Sequence, residues 1–102
     1  MQQFITDRIP EIEALCRAHH VQRLAVFGSA VRDDFNPETS DVDVRVIFDS
    51  AKIDRYARNA FAFRDAMTGL LQRRVDMLSS KKIRNTYLLR AIEQDQVELY
   101  AA

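Results

Sequence analysis

The sequence predicts an α+β fold in which four strands and three longer helices share one core. Apolar residues recur at helical spacing in three segments, and they run together or alternate in four shorter ones. The chain has 102 residues, 47% of them hydrophobic and 29% charged, so we expect a single domain over residues 1–102. Only 2 Gly and 2 Pro are present, which excludes collagen-like and low-complexity chains.

The first half of the chain predicts a helix, two strands and a loop. Helical spacing predicts the helix over residues 5–16, and the apolar run 23–27 predicts a buried strand that ends in a turn at Gly28. A minor helix is expected after Gly28. Turn-forming residues fill 33–40, so this segment is expected to be a loop. Residues 41–48 then alternate between apolar and mostly polar side chains, which predicts a strand with one polar face.

The second half predicts two helices, each followed by a strand. A 3.6-residue period over residues 53–71 predicts a long helix, for which Ser50 is a candidate N-cap. Residues 73–79 alternate and are expected to form a third strand. Ser80 is the candidate cap of a last helix over residues 83–92, and residues 97–100 are expected to close the sheet.

The composition limits which binding partners and which cellular compartment we expect. The 15 basic and 15 acidic residues cancel, which argues against a protein that coats nucleic acid, so we expect no direct nucleic-acid partner. A single cysteine, Cys16, cannot form an internal disulfide and is expected in the core, so a reducing, cytoplasmic setting is the expectation. The apolar runs are far shorter than the roughly 20 residues of a membrane span, so no membrane partner is expected.

Charge is distributed unevenly along the chain. Residues 1–50 hold five Arg against nine acids, whereas residues 51–102 hold ten Lys and Arg against six acids. Two readings of the basic excess stay open, a surface for phosphate or an acidic partner and an ordinary solvated surface. The residues concerned are Arg73, Arg74, Lys81, Lys82 and Arg84.

Three aspartates are the candidates for chemistry. Asp41 and Asp43 lie two residues apart on a predicted strand, so their carboxylates project from one face. Carboxylates this close repel each other, and Mg²⁺ relieves the repulsion because it prefers oxygen ligands and accepts phosphate and water beside them. Asp76, on the third strand, would complete the group as a metal ligand and as the base for an incoming hydroxyl. The alternative is three solvated acids on a polar strand face.

The turn after the first strand is a candidate phosphate site. Gly28 lets the backbone approach a phosphate closely, and the Ser29 hydroxyl and nearby amides can donate to phosphate oxygens. Arg32 follows one helical turn later and is expected either to bind the same phosphates or to serve on the surface.

Together these motifs resemble the minimal nucleotidyltransferases of the DNA polymerase beta superfamily. The resemblance rests on Gly28-Ser29, Arg32, Ser40-Asp41-Val42-Asp43 and the strand around Asp76, and it extends over nearly the whole chain. It implies a mixed four-stranded sheet flanked by helices, and Mg²⁺-dependent use of a nucleoside triphosphate. It also implies a partner protein, a HEPN ribonuclease toxin, for which the small protein is the antitoxin and to whose tyrosine some members transfer AMP from ATP.

The resemblance assigns a role to each motif. Gly28, Ser29 and Arg32 would hold ATP, and the aspartates at 41, 43 and 76 would bind metal and catalyse transfer of AMP to a hydroxyl of the partner, with a homo- or hetero-oligomer as the expected assembly. Arg45 departs from the pattern, because it shares the polar face of the strand. It would either neutralise one of the paired carboxylates or brace Asp76.

Three functions therefore stay open. The first is an active adenylyltransferase antitoxin. The second is an inactive antitoxin that neutralises the HEPN ribonuclease by stoichiometric contact, the reading that Arg45 favours. The third is a transferase acting on a small molecule, which would need an additional domain or a dimer to hold the acceptor.

Overall fold

The computed structural model, which describes residues 1–32, 34–79 and 85–102, has a four-stranded sheet with the core helices against one face and the end of the last helix near the other. Two single turns of 3₁₀ helix, Gly28–Ala30 and Ser50–Lys52, lie between the main elements. In chain order the helices and strands are α1 (Gln3–Thr6), α2 (Ile9–Ala18), β1 (Val21–Phe27), β2 (Val42–Phe48), α3 (Tyr56–Leu71), β3 (Val75–Ser79), α4 (Thr86–Asp95) and β4 (Val97–Ala101).

The sheet is mixed, as the resemblance implied. Its strand order is β3-β2-β1-β4; β1 runs antiparallel to both β2 and β4, whereas β2 and β3 are parallel. A parallel pair needs a crossover connection, and α3 supplies it between β2 and β3. Because β2 and β3 are parallel neighbours, their first residues, which include Asp43 and Asp76, lie side by side.

The predicted first helix is in fact two helices, so the single helix over 5–16 is wrong. The break falls at Asp7 and Arg8, between α1 and α2, and Pro10 occupies the first turn of α2. Proline has no amide hydrogen to donate, and its ring clashes with the carbonyl four residues earlier, here that of Thr6. A helix can begin at Pro10 but cannot continue through it.

The residues at the N-termini of α3 and α4 differ from the predicted N-caps. Ser50 is not an N-cap, because its 3₁₀ turn ends before α3, which begins at Tyr56 without a side-chain cap. The cap of α4 is Asn85, whose side chain accepts hydrogen bonds from the amides of Tyr87 and Leu88. The predicted cap Ser80 and the first residues of the predicted last helix lie outside the described residues.

One face of the sheet carries the core. The inward side chains of β2 alternate strictly with the outward ones, and Phe48 meets Phe63 of α3 edge to face, with the ring centroids 5.8 Å apart. Cys16 is buried in this core, as predicted. The buried residues come from both the helices and the sheet, and they include Ile12, Leu24, Val26, Val44, Val46, Phe63 and Met67. Among the helices of the described ranges, none combines the length and the apolar character that a bilayer crossing requires.

Candidate active site

The strand register brings two of the three candidate aspartates side by side. Asp43 of β2 and Asp76 of β3 are direct partners in the parallel ladder, and the preceding pair, Val42 and Val75, points into the core. Because side chains alternate along a strand, Asp43 and Asp76 both project from the opposite, open face. Asp41, just before β2, lies on that same side of the alternation. The three aspartates therefore converge at one end of the open face.

Crowding at this end changes the acidity of Asp43. Partial burial raises the pKa of its carboxyl above the usual value, and the charges of Asp76 and then Asp41 raise it further. The Arg32 guanidinium acts in the opposite direction and lowers it. Asp43 thus feels repulsion from both other aspartates, and a bound cation would relieve that repulsion.

Gly28 lies directly against this carboxylate. Its φ is +74°, a left-handed conformation that side chains rarely adopt, and a Cβ at this position would lie 2.7 Å from Oδ2 of Asp43. Phe27 is the register partner of Asp43, so the turn leaves β1 immediately beside the aspartates. The glycine is therefore required twice, for the backbone conformation and for the space that the Asp43 carboxylate fills.

Ser29 and Arg32 lie on the turn that Gly28 begins. The carbonyl of Gly28 accepts hydrogen bonds from the amides of Val31 and Arg32, at 3.1 and 3.4 Å, so the turn is a single helical one. Arg32 does not extend into solvent alone. Its Nη1 lies 2.9 Å from Oδ2 of Asp95 at the end of α4, and its Nε lies 3.4 Å from Oδ1 of Asp34.

Arg45 contacts neither of the groups that the sequence suggested. Its Nη1 donates to Oε1 of Gln96 at 3.2 Å and lies 3.6 Å from Oε1 of Glu93, and only 17% of the side chain is exposed. Among the described residues, contacts with the aspartates at 41, 43 and 76 are absent. The expectations that Arg45 neutralises a paired aspartate or braces Asp76 are both wrong. The C-terminal end of α4 places an acid and an amide closer to Arg45.

An aromatic brace holds the loop that leads to Asp41, and the sequence reading missed it. Phe35 packs against Phe4 of α1 with ring centroids 5.4 Å apart, and the Arg73 guanidinium lies 4.6 Å from the Phe4 ring. Arg73 also donates to the carbonyl of Pro37 at 2.9 Å. Arg73 thus has a structural role in holding this loop, and whether the basic cluster serves a phosphate or a partner stays open. Lys81, Lys82 and Arg84 lie outside the described residues.

Two cavities flank the aspartates. A polar basin of about 660 Å³ opens at Asp41 and Asp76, with Arg64, Asp65, Thr68 and Arg74 around it. An apolar groove of about 360 Å³ continues along α3 and β3 and shares Arg64, Val75 and Asp76 with the basin. Space for a ligand and for an approaching acceptor is therefore present beside Asp76.

The donor set fits a hard divalent cation shared with phosphate. Within the described ranges, no three acidic, His or Cys side chains are arranged to coordinate one ion by themselves. Mg²⁺ does not require such a cage, since it is usually held by one or two carboxylates together with substrate phosphates and water. Burial first, and then repulsion from Asp76 and Asp41, raise the pKa of Asp43, and a bound cation would relieve the repulsion.

Sequence comparisons find a matching family and related proteins. Residues 11–99 match the profile of a family described as nucleotidyltransferase domain. A protein of Methanocaldococcus jannaschii named putative protein adenylyltransferase is 31% identical over 97 residues, which cover 87% of this chain and 95% of that protein.

Solved structures share the fold. A structure described as a putative minimal nucleotidyltransferase superposes with a TM-score of 0.74 at 28% identity and covers 91% of this chain and 90% of its own. A toxin-antitoxin structure with AMP-PNP has a TM-score of 0.69 at 21% identity, over 92% of this chain and 73% of its own. A tri-AMPylated Shewanella oneidensis HEPN toxin in complex with its MNT antitoxin has a TM-score of 0.64 at 19% identity, over 95% and 72%.

Proposed function

The chain belongs to the nucleotidyltransferase domain family and has the α+β fold of the polymerase-beta type, and we propose that it transfers AMP from ATP to a tyrosine hydroxyl of a HEPN toxin. The observation that carries the proposal is the pairing of Asp43 with Asp76 on neighbouring parallel strands, with Gly28 against the Asp43 carboxylate. A relative named as an adenylyltransferase and a structural neighbour with an AMPylated HEPN toxin support the choice of AMP and of the partner.

Each site residue has a role in this proposal. The Gly28–Ser29 turn and Arg32 hold the triphosphate, the turn by its backbone amides and the Ser29 hydroxyl, and Arg32 by its charge. Asp41 and Asp43 would hold Mg²⁺, and Asp76 would contribute a further ligand and face the acceptor. A bound Mg²⁺ would neutralise the phosphate oxygens on which negative charge develops during transfer.

The chemical step moves one phosphoryl group with its nucleoside. The acceptor oxygen forms a bond to the α-phosphorus of ATP as the bond from that phosphorus to the α,β-bridging oxygen breaks, and pyrophosphate leaves. Asp76 accepts the hydroxyl proton, since it lines the polar basin from which an acceptor can approach. Asp43 would hold the ion together with Asp41, and it takes no proton from the acceptor.

In this proposal the partner protein supplies the acceptor hydroxyl. The polar basin beside Asp76 is lined by charged side chains and is open to solvent, so it does not enclose a small acceptor. The neighbouring apolar groove, with Phe61 exposed at its wall, offers a surface for a protein that carries the tyrosine. A protein acceptor therefore fits this geometry better than a small molecule does.

The test is label transfer in the presence of a HEPN partner. The purified protein, MgATP and the purified partner are incubated with ATP labelled on the α-phosphate and, separately, on the γ-phosphate. We expect label on the partner from α-labelled ATP only, and loss of at least 100-fold of the rate in Asp43→Asn and Asp76→Asn. Asp65→Asn is the matched control, because Asp65 lines the same basin from α3 outside the strand pair.

Three results would contradict the proposal. Label from γ-labelled ATP would mean phosphorylation. Transfer that survives Asp43→Asn would remove the proposed site. Inhibition of the toxin by a wild-type protein that transfers no label would establish the stoichiometric antitoxin.

A further inference from the structure

The C-terminal end of α4 carries acids where a helix disfavours them. Glu93 and Asp95 lie in the last turn of α4, and no basic residue accompanies them there. The helix dipole places partial negative charge at this end, so acidic side chains in the last turn are destabilising unless cations compensate them. Two arginines from the active-site side provide the compensation, Arg32 to Asp95 and Arg45 to Glu93.

The two arginines are not equivalent. Arg45 is 17% exposed, donates to Gln96 and pairs with Glu93, so it is fixed between the sheet and the end of α4. Arg32 is 52% exposed and its partner Asp95 is 43% exposed. An exposed ion pair of this kind is weak, because water solvates both charges well and the two side chains lose freedom on pairing. The ion pair of Arg32 with Asp95 is therefore easier to break than the contacts that Arg45 makes with Glu93 and Gln96.

Arg32 also belongs to the proposed nucleotide site. Its amide closes the turn that begins at Gly28, and its charge acts on Asp43. A triphosphate bound at this turn carries several negative charges and would attract Arg32 more strongly than the two exposed carboxylates that contact it do, those of Asp95 and Asp34. A bound phosphate would thus compete with Asp95 for Arg32.

We propose that Asp95 is a counter-ion that holds Arg32 in the absence of nucleotide and yields it to the triphosphate, while Arg45 keeps the end of α4 in place. Asp95 is in this sense a positioning residue that sets nucleotide affinity without touching the reacting atoms. The inference rests on the proposed function, since it takes ATP as the ligand of the turn. It also gives Arg45 a purpose that the sequence pattern left unexplained.

The test is the affinity for MgATP, measured by isothermal titration calorimetry. Asp95→Asn removes the nearer of the two carboxylates that compete for Arg32 and leaves Asp34 in place, and we expect it to tighten binding two- to fivefold, the range that an exposed ion pair supports. Glu98→Gln is the matched control for the loss of one negative charge, because Glu98 pairs with Arg23 at 2.8 Å with 61% and 44% exposure, close to the values of the Arg32–Asp95 pair. We expect its affinity to equal that of the wild type.

A double-mutant comparison makes the result specific. In an Arg32→Ala background, Asp95→Asn is expected to leave the affinity unchanged, because no arginine remains to be released. Equal tightening by Asp95→Asn and Glu98→Gln, or tightening that persists without Arg32, would overturn this inference alone. A wild-type protein that binds no MgATP would overturn the proposed function and this inference with it.

Discussion

The two faces of β2 differ by a shift of one residue, and they carry different properties. Val44 and Val46 are buried against the helices, whereas Asp43 and Arg45 project from the open face and are partly exposed. The inner face gains free energy from removing apolar surface from water, and the outer face holds charges that repel or compensate one another. Substitutions on one face should therefore change stability, and substitutions on the other should change the site.

The largest expected effect is on the inner face. Phe63 of α3 is fully buried and packs edge to face on Phe48, so Phe63→Ala removes a large buried ring and leaves a cavity. We expect the free energy of unfolding to fall by about 3–5 kcal/mol. Urea denaturation followed by circular dichroism measures it.

Phe61 offers the matched control on the same helix. It is 55% exposed and lies beneath the Arg64 guanidinium, which is 4.9 Å from its ring centroid. Phe61→Ala should cost less than about 1 kcal/mol. Equal losses at both positions would contradict the assignment of the core to the face of α3 that carries Phe63.

A smaller effect on stability is expected at the Gly28 turn, which follows β1 and lies against Asp43 on the open face. Gly28→Ala forces a side chain into a φ of +74° and places its Cβ 2.7 Å from the Asp43 carboxylate, which must rotate away. The strained backbone should cost about 1–2 kcal/mol of unfolding free energy, and the displaced carboxylate should reduce nucleotide transfer much more than the stability loss alone would.

Gly69 serves as the control, since it lies inside α3 and a Cβ there meets no atom within 4 Å. Gly69→Ala should raise the free energy of unfolding by about 0.5–1 kcal/mol, because alanine is the better helix former. A Gly28→Ala variant with full transfer activity would show that the close approach to Asp43 is not needed.

The periodicity of the sequence was sufficient to place the aspartates. The alternation around Asp43 and Asp76 predicted two strands with polar faces, and the register confirms that the two residues are neighbours. The alternation is a local property that survives folding, because a strand has only two faces. The metal and nucleotide roles of these residues, and the single domain over residues 1–102, stay predictions.

What the sequence could not provide were the partners of long side chains. Arg45 was expected to meet an aspartate on its own face, but it reaches Glu93 and Gln96, about fifty positions along the chain, because α4 ends above it. Arg73 likewise stacks on Phe4, a residue far away in the sequence that the fold brings beside it. A usable signal was present in the first case: two acids in the last turn of a helix without a basic residue require a cation from elsewhere.

The smallest expected effect is on the outer face, and its sign is opposite to that on the inner face. Burial first, and then the charges of Asp76 and Asp41, raise the pKa of Asp43 above its ordinary value of 3.8. The folded protein therefore holds this proton more tightly than the unfolded chain does, and the stability that the proton contributes is lost as pH rises through the raised pKa. At pH 7 the ionised Asp43 opposes folding.

Asp43→Asn removes that charge and should raise the free energy of unfolding at pH 7 in metal-free buffer by about 0.2–1 kcal/mol, the range for like charges on neighbouring strands. Near pH 4 the gain should shrink, because the wild-type carboxyl then binds its proton in the folded state. Asp65→Asn, at a carboxyl that is 77% exposed on α3, should change stability by less than about 0.5 kcal/mol at either pH. Urea denaturation of the three proteins at both pH values measures these differences. Destabilisation by Asp43→Asn at pH 7 would mean that attraction to Arg32 outweighs repulsion from the two aspartates, and that the open face is already compensated without a bound cation.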